Sequence, residues 1–119
     1  MRVKDALGQY GERVAAGLLV ESGLRIIETN WRCTAGEIDI VAAEGRALVF
    51  CEVKTRSSLA FGSPAAAVTW AKQRRLRQLA VRYLAANPGS WDQIRFDVVA
   101  ILRPRSGPAT VEHLRDVLS

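Results

Sequence analysis

Residues 36–56, GEIDIVAAEGRALVFCEVKTR, decide the fold. Two apolar runs rich in Ile, Val, Leu and Phe flank Glu44-Gly45-Arg46, and each carries charges two residues apart: Glu37 and Asp39 in the first, Glu52 and Lys54 in the second. Side chains two apart on a strand share a face, so the spacing predicts two strands, Gly36–Ala43 and Ala47–Thr55, each with a charged pair on one side. The second run is apolar on both faces until it reaches its charges, the pattern of a central strand covered by helices. A two-residue turn at Glu44-Gly45 pairs Ala43 with Arg46, and sets Asp39 opposite Phe50 and Glu37 opposite Glu52. All four charged groups then share a face, with Asp39 and Glu52 as diagonal neighbours about 7 Å apart at the backbone. A loop one residue longer or shorter would separate them.

Three carboxylates on an otherwise apolar strand pair repel one another, and need a cation, or Lys54 and a proton, to offset them. Hard oxygen ligands open to solvent favour Mg2+ or Mn2+.

Outward from this hairpin, Leu7, Tyr10, Val14 and Leu18 recur at helical spacing over Lys4–Ser22 until Gly23. Glu12 lies on that helix beside the small residues Gly8, Ala15 and Ala16, and is expected to face the sheet or its edge. A strand over Leu24–Arg32 precedes the hairpin. Ser63-Pro64 is expected to start a second helix, with a break near Thr69, running to Ala86 before Asn87-Pro88-Gly89. Leu76, Leu79, Ala80 and Tyr83 mark its buried stripe, which places Lys72 inward at its start and Arg74, Arg75, Arg77 and Arg82 on a basic surface. Strands Gln93–Leu102 and Thr110–Leu114 complete an α/β domain of order α-β-β-β-α-β-β with a mixed sheet.

The 119 residues are enough for one core, so residues 1–119 are expected to form a single domain. No apolar stretch reads as a secretory signal or a membrane span, which implies a soluble cytoplasmic protein. The net charge is +5, and 14 of the 17 basic residues are arginine, whose planar fork suits phosphate oxygens. Cys33 and Cys51 read as reduced thiols. The single histidine, His113, leaves zinc-protease and His-metal nuclease chemistry without ligands, and the chain has no Gly-rich phosphate loop or nucleophile elbow. Asp97 reads as a structural acceptor for a neighbouring arginine more readily than as a site residue. Trp31, Trp70 and Trp91 read as core or interface residues.

Gly11-Glu12, Asn30-Trp31-Arg32, Gly36-Glu37-Ile38-Asp39, Phe50-Cys51-Glu52-Val53-Lys54-Thr55-Arg56, Lys72 and Arg95-Phe96-Asp97-Val98-Val99 together resemble the YraN family of bacterial proteins. That family in turn resembles the restriction-endonuclease-like superfamily, above all the archaeal Holliday-junction resolvases, through an Asp and Glu-x-Lys signature and a glutamate in the first helix. The resemblance implies a three-layer fold, a central mixed sheet flanked by helices, and a magnesium-dependent phosphodiesterase site acting on DNA. It implies Asp39, Glu52 and the Val53 carbonyl as metal ligands and Lys54 as the group that orients or activates water. Glu12 would hold a second ion or its water. Arg56, Lys72, Arg74 and Arg75 are the candidate backbone contacts, and a homodimer is expected for symmetric cutting. Ile38 stands where the superfamily often has proline before the aspartate, and the resemblance assigns Glu37 no role. Two other readings stay open: a nucleic-acid-binding protein that keeps the fold without turnover, and a protein-interaction module with a structural acidic cluster.

Overall fold

The computed structural model describes residues 5–58 and 70–118, the side chain of Trp70 aside. Helix α1 (Ala6–Glu21) begins where Asp5, in extended backbone, accepts the Gly8 N–H at 2.8 Å through its side chain. This supplies one of the donors a helix start leaves open. The helix ends at Gly23, whose φ of 97° turns the chain so that the Leu24 N–H reaches the Leu19 carbonyl. Leu24 is thereby drawn into the helix closure, and the first strand starts one residue later than its apolar run suggests. The expected Ser63-Pro64 start of the second helix and the break near Thr69 lie outside the described residues.

Strands β1 (Arg25–Cys33), β2 (Gly36–Glu44), β3 (Ala47–Arg56), β4 (Gln93–Leu102) and β5 (Thr110–Leu114) form one sheet in that order, and helix α2 (Trp70–Ala86) lies between β3 and β4 in the chain. The β3–β4 pair is parallel and the other three are antiparallel, so the sheet is mixed. Strand β3 is central, as its two-sided apolar run requires. Residues of β3 alternate between the helices: Val49 and Cys51 pack with Ala15 and Leu19 of α1, while Leu48 and Phe50 pack with Leu79, Ala80 and Tyr83 of α2. The chain therefore has the helix–sheet–helix layering and element order expected for a restriction-endonuclease-like α/β fold. Among the described residues no helix is long and apolar enough to cross a membrane.

The hairpin differs from expectation in one respect. Glu44 pairs with Ala47 and Ala43 with Leu48, so Gly45-Arg46, not Glu44-Gly45, forms the two-residue turn. The reason is conformational. Gly45 has φ 58°, and a turn whose first central residue needs positive φ takes glycine there; the expected register would have demanded that conformation of Glu44. The shift is an even number of residues across the pair, so Asp39 keeps the face of Glu52 and Lys54. Gly36 and Ile38 turn to α2 whereas Ile40 turns to α1, so the alternation of β2 is interrupted at Asp39, and Glu37, expected on the same face, lies on the α1 side. Asp39 moves from a diagonal position to one directly across from Glu52, one step beyond the last ladder pair, Ile40–Cys51.

Glu44, freed from the turn, accepts from Arg95 Nη1 at 2.7 Å and from Arg115. Arg95 also forks onto Asp97, with Nε–Oδ1 at 2.9 Å and Nη2–Oδ2 at 3.0 Å. Asp97 is fully buried and also takes His113 Nε2 at 2.8 Å and the Asp116 N–H at 3.0 Å. Burial alone would raise its pKa, but the Arg95 guanidinium, the Asp116 N–H and His113 outweigh this and hold it below the ordinary value. This network joins the hairpin end, β4 and β5, and bears out the structural reading of Asp97. Cys33 and Cys51 are free thiols, and burial pushes the Cys51 pKa up, as expected of an inert core cysteine. Trp31 meets Tyr83 edge to face at 5.2 Å and Trp91 packs against the α2-side core, so both serve the interior.

Candidate functional site

The β2–β3 ladder stops where the charged residues begin. Beyond Ile40–Cys51, the Val53 N–H donates to Asp39 Oδ2 at 2.8 Å, a side-chain bond where strand pairing would continue. The strands part, and a cleft of about 710 Å3 opens between the start of β2, the end of β3, the first turns of α1 and the start of α2. Glu12, Glu37, Asp39, Glu52, Val53, Lys54, Lys72 and Arg75 all line it.

Inside the cleft, one carboxylate oxygen from each of Glu12, Glu37 and Asp39 lies within 4.8 Å of the other two. Oxygens sharing one cation at about 2.0–2.6 Å are at most about 4–5 Å apart, so the trio has the spacing of a hard-cation site and the donor chemistry magnesium, manganese or calcium prefers. Glu12 comes from α1 and Glu37 and Asp39 from the start of β2, where Ile38 turns to α2 and Ile40 to α1, so that the alternation is interrupted between them. Glu37 also accepts from Arg32 Nε at 2.8 Å, so a cation on β1 holds this carboxylate from the outer side.

Glu52 takes a different partner. Its Oε1 lies 3.4 Å from Lys72 Nζ on α2. The grouping of Asp39 with Glu12 and Glu37 stands in the same cleft as Glu52, which the register sets across from Asp39. Lys54 is half-buried on the same face. Its burial, then the neighbouring Lys72 and Arg56, lower its pKa against the opposing pull of Glu52. Lys72 points inward as the helix stripe requires.

The basic residues divide. Arg75 lines the cleft beside Lys72, whereas Arg74 is exposed on the outer surface of α2. Arg56 is not in the cleft lining; it sits at the end of β3, where its carbonyl accepts the Arg103 N–H at 2.8 Å and its Nε is buried without a hydrogen-bond partner among the described residues. Arg77 and Arg82 are exposed as expected, and they bond the Leu118 carbonyl and the Thr34 hydroxyl. Glu37 is the residue to which the resemblance assigns no role, and the structure groups it with Glu12 and Asp39. Its signal was its nearness to Asp39 in sequence, and what the strand pattern lacked was the interruption of alternation at Asp39 and the turn of α1 that brings Glu12 alongside.

The sequence model of the family described as "Uncharacterised protein family UPF0102" matches residues 11–101, a span that holds all three carboxylates, Glu52 and both cleft lysines. A UPF0102 protein of Beutenbergia cavernae is 59% identical over 98% of this chain and 99% of its own length. Proteins of the same description from Frankia alni and Frankia casuarinae are 54% and 52% identical, each over 97% of this chain and over 96% and 98% of their own lengths. With likeness of this extent along nearly the whole chain, and the Gly-Glu-Ile-Asp and Glu-Val-Lys motifs set in one cleft, the chain belongs to the UPF0102 family, the YraN family its motifs resemble.

Proposed function

We propose that this chain is a magnesium- or manganese-dependent endonuclease-like phosphodiesterase acting on DNA, with branched or damaged DNA as the substrate class. The observation that carries the reading is the convergence of oxygens from Glu12, Glu37 and Asp39 within 4.8 Å in a cleft that also holds Lys54, Lys72, Arg32 and Arg75. Acidic groups beside basic ones in one cleft suit a cation and a phosphate together. Glu12, Glu37 and Asp39 would hold the ion, with Glu52 and the Val53 carbonyl, the ligands the resemblance implies, at the same cleft. A divalent ion bound there would supply charge to polarise a phosphate oxygen and acidify a neighbouring water.

The protein's own groups do the rest. Lys54 Nζ, with its proton affinity reduced by burial, stands on the cleft wall to orient the attacking water or take its proton, and in its charged form it balances charge gathering on the phosphate. Lys72 Nζ, bridged to Glu52, and the Arg75 guanidinium offer phosphate contacts on the α2 side. The same reading makes residues 1–119 one endonuclease-like unit working in the cytoplasm, as a homodimer where both strands are cut symmetrically.

Nicking of supercoiled plasmid, followed by assays on duplex and four-way-junction substrates, tests this. Cleavage is expected with Mg2+ or Mn2+ and not with chelator, and Lys54→Ala is expected to keep metal binding while losing turnover. Absence of any metal response together with no cleavage would sink the reading. A second reading is favoured by the Glu52–Lys72 pair, which engages the carboxylate that the nuclease pattern assigns to the ion: a protein that binds DNA without cutting it. DNA binding and metal binding with no cleavage of any substrate would select it.

Phosphate contacts release counterions, so they leave a signature separate from chemistry. Replacing Arg74 and Arg75 together by alanine is expected to weaken DNA binding across all sequences. The slope of log affinity against log salt should flatten by up to about two, with metal affinity retained. Arg75, inside the cleft, should account for more of the loss than Arg74.

A further inference from the structure

The buried line of α1 is Gly11, Ala15 and Leu19, four residues apart and all turned to the sheet. Side-chain size grows along it from nothing to a methyl to an isobutyl group, so the helix backbone comes nearest the sheet at its N-terminal end. The contact there is close. A Cβ added at Gly11 would stand 1.8 Å from Thr55 Oγ1, 3.1 Å from Thr55 Cβ and 3.4 Å from Thr55 Cγ2. Thr55 belongs to β3, on the face that Val53 and Cys51 also turn toward α1. Rotating the threonine about its Cα–Cβ bond could swing the hydroxyl away, but its Cβ would stay at 3.1 Å, so a methyl at position 11 presses α1 and β3 apart by a few tenths of an ångström. The next residue, about 100° round the helix, is Glu12, whose carboxylate oxygen lies within 4.8 Å of those of Glu37 and Asp39.

We propose that Gly11 is a positioning residue of the site: its missing side chain lets α1 close on Thr55 of β3 and so delivers the Glu12 carboxylate to Glu37 and Asp39. The inference rests on the reading of the trio as a cation site. A metal-ligand distance tolerates only a few tenths of an ångström. A lift of the helix start thus removes Glu12 from the ion while leaving the rest of α1 packed through Ala15 and Leu19. Alanine is the better helix former, so the substitution does not weaken the helix itself.

The test is Mn2+ affinity of the full-length protein, read by electron paramagnetic resonance as free ion, with circular dichroism and thermal melting alongside. Gly11→Ala is expected to lower the affinity about 10- to 100-fold, the range found when a group that orients a metal ligand is lost. Glu12→Gln should lower it in the wild-type background and add nothing in the Gly11→Ala background, because the carboxylate is already withdrawn. Gly11→Ala combined with Thr55→Gly, which clears the methyl's path, should bring the affinity back even though glycine weakens the strand and lowers the melting temperature. A merely structural glycine would give the reverse, with affinity following stability. Gly11→Ala binding Mn2+ like the wild type while Glu12→Gln does not would overturn this inference and leave the proposed function standing. Should Gly11→Ala prove unfolded, a folded Gly11→Ala/Thr55→Gly protein with weakened affinity would overturn it as well. A wild-type protein without Mn2+ affinity would remove the cation-site reading itself.

Discussion

Asp39→Asn is expected to cut divalent-metal affinity by at least about 100-fold, beyond the range for groups that only orient a ligand, and to abolish any cleavage. The fold should survive, because the asparagine carbonyl can still accept the Val53 N–H that Asp39 Oδ2 now takes at 2.8 Å. DNA affinity should hold or rise, since one negative charge leaves a cleft that must admit phosphate. The alanine variant is the contrast. It removes the acceptor as well as the charge, leaves the Val53 N–H without its partner where β2 and β3 part, and should lose stability by about 1–3 kcal/mol in addition to metal binding. Calorimetric titration with Mn2+ and thermal melting of both variants separate the two functions of this side chain. Equal metal affinity in wild type and Asp39→Asn would remove Asp39 from the site.

Asp97→Ala should be the most damaging single substitution away from the cleft, at about 3–5 kcal/mol, because it strips a buried guanidinium and His113 of their shared acceptor. Among the described residues Arg95 would keep Glu44, at 2.7 Å, and the Asp116 N–H would lose its 3.0 Å bond, leaving the chain end after β5 to the Val117–Phe96 and Leu118–Arg77 bonds. The sign of the pH dependence follows from the lowered pKa of Asp97. A carboxyl whose pKa is lower folded than unfolded contributes stability that is present above its unfolded value, about 3.9, and is lost as pH falls through the folded value. Glu44, lowered first by its bond to Arg95 and further by Arg115, acts in the same direction. Denaturant melts across the acid range should therefore show wild-type stability falling below about pH 4, and a much flatter curve for Asp97→Ala. Parallel curves would mean that other carboxylates govern acid unfolding.

The parts of this fold that were legible in the sequence are those written in short-range periodicity. The α1 and α2 stripes, the two-sided apolar run of β3 and the alternation of charges in β2 and β3 each follow from local geometry, and together they yield the element order and the common face of Asp39, Glu52 and Lys54. The hairpin turn falls one residue later than the spacing of the runs suggests, because spacing alone does not say which central position takes the positive φ; the glycine does. The approach of Glu12 and Lys72 to the strand charges lay further out of reach. How near Glu12 comes to Asp39 depends on how far α1 descends on the sheet, which the Gly11–Thr55 contact sets, and Glu52 finds Lys72 only through the placement of α2. Arg95 and Asp97 share a strand face and were a readable pair, whereas Glu44 and Arg115 are brought to them by tertiary contacts 51 and 71 residues apart in sequence.

The central claim is that the acidic trio is a divalent-cation site serving phosphodiester chemistry, and anomalous diffraction from a crystal soaked in MnCl2 tests it most directly. A manganese peak is expected between the carboxylates of Glu12, Glu37 and Asp39, absent from crystals of Asp39→Asn treated in the same way. A fully soaked crystal with no peak in the cleft, or with manganese only at surface carboxylates elsewhere, would contradict it and return the cluster to a structural role.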